Sequence, residues 1–236
     1  MRKSEINNLI DALKPAIRPK RIELLKNYFK DHGDIGYLWQ FRTQAVVGYF
    51  ETGRPEAYWD NMRRVGELQI ELFKRFEAGE RISSDYVSDS MANRVVDCIS
   101  GGNFDLIPTF AKLMHKVKEE KNFYNFKLLR HLFSNTNASE DIKKATAYAK
   151  KQRKWDIAFN DAIVSLIDRN IDDFNSALER MMKLYKGIYK YEVPEFKLIA
   201  IDALFFIQLA RHYGMDVQIQ HELIPQDLIK PVEHSQ

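Results

Sequence analysis

Residues that interrupt regular secondary structure are scarce in this sequence. Only 10 of its 236 residues are glycine and 7 are proline. An all-β protein of this length would need a turn about every 8–12 residues, so the scarcity favours long helices. Cysteine is scarcer still, because Cys98 is the one thiol in the sequence. This excludes an internal disulfide and any zinc site built from several cysteines, and the apolar neighbours of Cys98 predict a core thiol.

A strong charge of one sign and a long hydrophobic run are also missing. Lys and Arg total 36 against 33 acidic residues, a net charge of +3, whereas nucleic-acid binders usually concentrate a larger basic excess on one face. The N-terminus has no apolar run typical of a secretory signal. The most apolar stretch, residues 196–214, is interrupted by Lys197, Asp202 and Arg211, and its longest run without a charge is too short to span a bilayer. We therefore expect a buried helix there, a structural role for Asp202, and a cytoplasmic protein without a membrane partner.

What the sequence does have is helical periodicity. The clearest example is residues 155–168, WDIAFNDAIVSLID, where apolar residues recur at the spacing of an amphipathic helix. The predicted core stripe comprises Trp155, Ala158, Phe159, Ala162, Ile163, Leu166 and Ile167. The predicted polar face comprises Asp156, Asn160, Asp161 and Asp168.

The same periodicity recurs between short polar breaks along the whole chain. It predicts further helices at approximately residues 4–14, 20–32, 35–51, 55–78, 85–100, 103–121, 123–133, 139–153, 172–190 and 195–213. Long amphipathic segments joined by short breaks are typical of antiparallel helical hairpins. We therefore predict an all-α fold and a single domain over residues 1–236, with about ten helices packed as antiparallel hairpins. A compact body and a loose helical solenoid both agree with this pattern.

Two local predictions concern the ends of helices. Asn103 follows a pair of glycines and is suited to cap the helix that comes next. After Gly214, the alternation of apolar and polar residues in VQIQ (217–220) predicts a short extended segment near the C-terminus.

Two adjacent carboxylates, Asp172 and Asp173, are the first candidates for acid–base chemistry. They follow Asn170 at the expected beginning of a helix. There the positive end of the helix dipole favours acidic side chains by about 0.3–1 kcal/mol each, so we interpret both as helix-start residues. Asp85 and Asp89 are one helical turn apart and have the same explanation. They also form a candidate acidic patch for a partner protein.

No other group of residues has catalytic spacing. None of the six histidines follows a glutamate by three positions, which a helical di-iron site requires, and no His-Glu-x-x-His pattern occurs. Nucleophile-elbow, phosphate-loop and dinucleotide-binding motifs are also missing. We predict that the protein is not an enzyme and has no catalytic residue, no metal and no cofactor.

A basic run that ends at Trp155 raises the question of nucleic acid. It comprises Lys143, Lys144, Lys150, Lys151, Arg153 and Lys154. Single-stranded nucleic-acid binding combines basic groups with aromatic side chains that are free to stack, but Trp155 already belongs to the core stripe. We predict a solvated helix face and no nucleic-acid partner.

Four features of the last third follow one another in order. The helix AIVSLIDRN is followed by IDDFNSALERMMKLYKGIY, which combines an acidic break, a Phe-Asn pair and a leucine-bearing helix. A hydrophobic helix, LIAIDALFFIQLARHYG, and a Pro-containing terminal piece, HELIPQDLI, complete the set. Over residues 155–229 this ordered combination resembles the immunity protein 49 family of bacterial polymorphic toxin systems. Upstream, YWDNMRRVGELQIELFKRF is compatible with the same family.

The resemblance implies an all-helical immunity protein that binds a cognate toxin and neutralises it in the cytoplasm. Inhibition would be a non-catalytic protein–protein interaction, and the resemblance supplies no catalytic residue. The alternative is a helical-repeat adaptor or regulatory protein that binds another protein partner. A helical enzyme is disfavoured by the search for motifs.

The candidate partner surface lies at the end of the helix predicted for residues 172–190. Its last residues, KLYKGIYKYE, place Tyr189 and Tyr191 among lysines. Exposed aromatic side chains are common anchors of protein interfaces, although these two could also pack under the loop that follows. The candidate partner-binding residues are Tyr189, Tyr191, Asp85 and Asp89.

Overall fold

The computed structural model of the protein describes residues 35–82, 87–117, 124–188, 196, 198–217 and 219–231. Within these residues nine α-helices form and no strand does. The helices are α1 Ile35–Thr52, α2 Pro55–Glu77, α3 Asp89–Ser100, α4 Ile107–Met114, α5 Tyr124–Ser134, α6 Ser139–Ala149, α7 Lys154–Ile167, α8 Ile171–Ile188 and α9 Ile201–His212. The helices predicted at residues 4–14 and 20–32 lie outside the described residues. None of the described helices is both long and apolar enough to cross a bilayer.

Consecutive helices pack as hairpins, as the short polar breaks predict. α1 packs along α2, and α7 packs along α8. Gly53 turns the chain between the first pair with φ of 67°, a left-handed conformation that glycine adopts without strain. Pro55 then occupies the first turn of α2, where its missing N–H costs no helical hydrogen bond. The prediction of an all-α fold is confirmed.

The last helix, α9, is the most deeply buried element. Between Ile201 and Ala210 every residue except Asp202 is buried, which is the behaviour of a helix that is apolar on all sides. α9 packs against α3, α7 and α8. Repeats of a solenoid contact only their neighbours, whereas α9 returns to the much earlier α3. The described helices therefore do not form a solenoid.

A close approach of two helices places Cys98 in the core, as predicted. Gly66 of α2 faces Cys98 of α3, and a Cβ atom at position 66 would overlap the Cys98 Sγ atom. The Cys98 side chain is fully buried, and burial raises the pKa of its thiol far above the usual range. The thiol therefore stays protonated and acts as a small core side chain.

The short extended segment predicted near the C-terminus is not confirmed, because no strand forms among its described residues. Among its described residues there is one isolated bridge, between His221 and Ile224, and a 3₁₀ turn at Gln226–Leu228. The segment is instead held by other elements. The Leu228 carbonyl accepts hydrogen bonds from Trp59 Nε1 and Gln208 Nε2, both at 2.9 Å. These partners lie far away in the sequence, so the local pattern does not predict them.

Two predicted helices are shorter than expected. The helix predicted for residues 103–121 is a 3₁₀ turn, Phe104–Leu106, followed by α4, which ends at Met114. Asn103 makes no capping hydrogen bond to it; its Nδ2 instead donates to the Cys98 carbonyl at 3.0 Å. The helix predicted for residues 195–213 begins only at Ile201, because the Ala200 N–H donates to the Leu223 carbonyl at 2.8 Å.

The amphipathic stripe of α7 is largely confirmed, with two differences. Trp155, Ala158, Ala162, Ile163 and Leu166 are buried. Phe159 and Ile167 are only partly buried. The assignment of Asn160 to the polar face is wrong: its side chain is 1% exposed. α6 packs on that side of α7, and Asn160 Nδ2 lies 3.4 Å from Thr146 Oγ1.

Asp172 and Asp173 are at the beginning of α8, as predicted. The Asp173 N–H donates to Asn170 Oδ1 at 3.1 Å, and Asn170 Nδ2 donates to Asp173 Oδ2 at 2.7 Å. Asn170 is therefore the N-cap residue, and Asp173 supports it from the first turn. Both aspartates are exposed, which agrees with a role in starting the helix.

Replacing Asn170 with alanine should destabilise the protein by about 1 kcal/mol, the typical cost of losing an N-cap side chain. The free energy of unfolding can be measured by urea titration followed by circular dichroism. Asn93 is a matched control because it is exposed in the middle of α3 and caps no helix end. A loss below about 0.3 kcal/mol for Asn170→Ala would contradict the capping assignment.

Candidate binding groove

The four candidate partner-binding residues fall at the limits of the described chain. Tyr189, Tyr191 and Asp85 lie outside the described residues. Asp89 begins α3, but its side chain is not among those described. All four assignments stay predictions.

A surface groove of about 540 Å³ lies between α3, α5, α6 and α7. Its floor is apolar, because each of the four helices contributes small or hydrophobic side chains to it. The floor residues are Ala92, Val96, Phe126, Leu129, Ala145, Ala149 and Phe159. Phe126 and Leu129 are themselves almost fully buried. Concave sites with an apolar lining and a few polar groups are the usual form of binding sites.

Two tyrosines form one wall of the groove. The ring centroids of Tyr124 in α5 and Tyr148 in α6 are 5.3 Å apart, with an interplanar angle of 45°. Tyr148 is 36% exposed, which is unusual for a large hydrophobic side chain in the described residues. Lys127 Nζ lies 5.8 Å from the centroid of the Tyr124 ring. The wall therefore presents aromatic surface next to a positive charge.

The rim of the groove carries polar groups, two of which are held in place by hydrogen bonds to each other. Asn93, Asn125 and Gln152 are exposed at the rim. At the beginning of α7, Arg153 Nε donates to Asp156 Oδ2 at 3.0 Å, and the Arg153 backbone N–H donates to the same oxygen at 3.2 Å. These two hydrogen bonds, both donated by Arg153, order the turn that leads from α6 into α7.

The basic run predicted as a solvated face is confirmed as solvated. All six of its cationic side chains are exposed, and Lys144 pairs with Glu140 one turn earlier. Lys150 and Lys151 lie in the turn between Ala149 and Gln152, and both of these flanking residues line the groove. The two lysines thus place positive charge in the turn beside the groove, although neither is one of its lining residues.

A histidine holds the two helices of the tyrosine wall together. His131 Nε2 of α5 lies 2.9 Å from Asp141 Oδ2 of α6, and His131 Nδ1 lies 2.8 Å from Thr136 Oγ1. The hydrogen bond from His131 holds the pKa of Asp141 below its usual range. Asp141 therefore keeps its negative charge at neutral pH, in the first turn of α6, where the helix dipole also favours it. These contacts fix the position of α5 relative to α6.

The arrangement is suited to binding. Its polar groups are rim amides and one Arg–Asp pair, and its floor offers no ionisable side chain. Among the side chains that the structure describes, no group of three His, Cys, Asp or Glu residues could hold a metal ion. That the protein has no catalytic residue, metal or cofactor stays a prediction.

A scan against models of known families, a search of curated proteins and a search of solved structures each find no match to this chain.

Proposed function

We propose that this protein is an immunity protein that binds a cognate bacterial toxin in the cytoplasm and neutralises it by protein–protein inhibition. The observation that carries the proposal is the ordered set of four sequence features over residues 155–229, which resembles the immunity protein 49 family. No catalytic step is required of the protein, and its partner is the toxin itself.

The way these features pack is consistent with the proposal. The helix that carries the first feature, α7, packs along α8, and α9 packs against both. The fourth feature, HELIPQDLI, returns to α9 through the hydrogen bond from Gln208 Nε2 to the Leu228 carbonyl. Residues that resemble the family in sequence order are therefore in contact with one another. Sequence features that together resemble one family are expected to lie in one packed unit of this kind.

The groove between α3, α5, α6 and α7 supports a binding role for the protein. It is open at the surface, has an apolar floor and carries exposed aromatic surface at Tyr148. Interfaces are enriched in aromatic residues at their centres and in polar residues at their rims. The groove has both properties.

The proposal predicts protection against the product of a neighbouring gene. That product is expressed in the cytoplasm of a test bacterium, with and without this protein, and survival is counted. We expect the cells that express the neighbouring gene product to survive only when this protein is also present. We also expect the two proteins to co-purify as a complex. An unrelated toxin serves as the control and should kill in both conditions.

Two results would contradict the proposal. Killing that this protein does not relieve, together with no complex, would favour the adaptor or regulatory protein. Protection only when the toxin carries an export signal would overturn the cytoplasmic site of action.

A further inference from the structure

We propose that the groove between α3, α5, α6 and α7 binds an acidic segment of the partner protein, with an apolar or aromatic side chain seated on its alanine floor. The inference deepens the proposed function and rests on it in one respect, namely that the partner is the toxin. It assigns the groove a chemical specificity that the family resemblance does not supply.

The floor of the groove favours an apolar side chain. Ala145 and Ala149 are one turn apart on α6 and present only methyl groups, and Ala92 does the same from α3. Phe159 and Val96 supply the remaining apolar surface between them. A side chain that enters this space removes apolar surface from water on both partners, at about 25 cal/mol per Å². The neighbouring Tyr148 ring can cover the side chain from the wall.

The charge beside the groove favours an acidic partner. Lys150 and Lys151 are exposed in the turn between two groove-lining residues. In the described part of the chain these two lysines form no ion pair, in contrast to Lys144, which is paired with Glu140. Carboxylates of an incoming segment would complement them. Such complementarity raises the association rate and selects against basic partners.

A nucleic acid fits the groove less well than a protein segment. Stacking of successive bases requires several free aromatic faces, but the Tyr124 ring already contacts the Tyr148 ring and Lys127, which leaves Tyr148 as the exposed ring of the wall. The alanine floor also has no phosphate-binding group. Apolar burial next to basic side chains is instead typical of a groove that holds an amphipathic peptide.

A random peptide library displayed on phage tests the proposal without knowledge of the toxin. The library is selected on the full-length protein, with counter-selection on a variant whose groove is filled by Gln152→Trp. Gln152 is exposed at the rim, so tryptophan can enter the groove without disturbing the core. We expect enriched peptides that combine Asp or Glu with a Leu, Phe, Tyr or Trp.

Charge reversal isolates the electrostatic part of the inference. Lys150→Glu with Lys151→Glu should lower the affinity for the selected peptides by about tenfold or more at low salt, and by less at high salt. The matched control is Lys74→Glu with Lys112→Glu, which makes the same change in net charge at exposed positions on α2 and α4, two helices that do not line the groove. The control variant should bind the peptides as the wild type does. Circular dichroism establishes that all variants remain folded.

Each possible result either supports the inference or overturns it. No enriched peptide, enriched peptides without acidic residues, or equal binding by both charge variants would overturn it. A labelled single-stranded oligonucleotide that binds the wild type but not the groove variants would assign the groove to nucleic acid. That result would also overturn the inference. Toxin protection is measured in the same variants. Protection that survives charge reversal, while peptide binding is lost, would overturn the assignment to the toxin, and protection by the wild type tests the proposed function separately.

Discussion

Replacing Asp97 with alanine should destabilise the protein by about 3–5 kcal/mol, the cost of removing one partner from a buried ion pair. Asp97 Oδ2 lies 2.7 Å from Arg94 Nη1 and 3.8 Å from Arg42 Nη1. All three side chains are 3–4% exposed. Burial lowers the pKa of Arg94, and the Asp97 carboxylate opposes this shift. Loss of the carboxylate therefore leaves two guanidinium groups in the interior without its compensating charge.

The unfolding free energy of Asp97→Ala can be measured by urea titration at pH 7. The matched control is Glu67→Ala, which removes an exposed carboxylate 2.8 Å from Arg63 Nε and should cost less than about 1 kcal/mol. Asp97→Asn keeps the shape of the side chain but removes its charge. It should therefore lose most of the same stability. A loss below about 1 kcal/mol for Asp97→Ala would show that the two guanidinium groups do not depend on this carboxylate.

Features determined by neighbouring residues were predictable from the sequence. The beginning of α8 follows from Asn170 and two aspartates, because an N-cap side chain and the helix dipole act within one turn. The burial of α9 follows from its continuous apolar composition. The hairpin of α1 and α2 follows from Gly53 and Pro55, which set the local backbone conformation.

Features determined by distant contacts were not predictable. Asn160 is polar, and its position on α7 suggested a solvent-facing side, but α6 covers it. The Leu228 carbonyl accepts hydrogen bonds from Trp59 and Gln208, which no pattern in the C-terminal segment indicates. In both cases the competing partner lies on another element, and periodicity carries no information about which elements meet.

The groove depends both on neighbouring residues and on distant contacts. Ala145 and Ala149 are four residues apart and therefore share one face of α6, which is a sequence signal for a small-residue surface. Tyr148, inside the basic run, is a second signal, because it is a large aromatic in a segment predicted to be solvated. The sequence did not indicate that α3 and α7 would complete the other walls. Those contacts depend on how α9 brings the two helices together.

The aromatic cluster around α9 allows the second large effect to be predicted. Phe206 is fully buried. Its ring centroid lies 4.9 Å from those of Phe205 and Phe159, with edge-on geometry, and 6.4 Å from that of Phe174. Truncation to alanine removes the buried ring and its aromatic contacts. It also leaves a cavity between three helices. We expect Phe206→Ala to cost about 3–5 kcal/mol.

Phe159→Ala is the comparison that makes this prediction specific. The sequence alone suggested that Phe159 is core, which would imply the same cost. The structure places it partly buried at the groove floor, so its truncation should cost only about 1–3 kcal/mol, since part of the ring is already in contact with water. Both variants are measured by urea titration under identical conditions. Equal losses would show that Phe159 is enclosed as Phe206 is, and that the groove floor is not open to a partner.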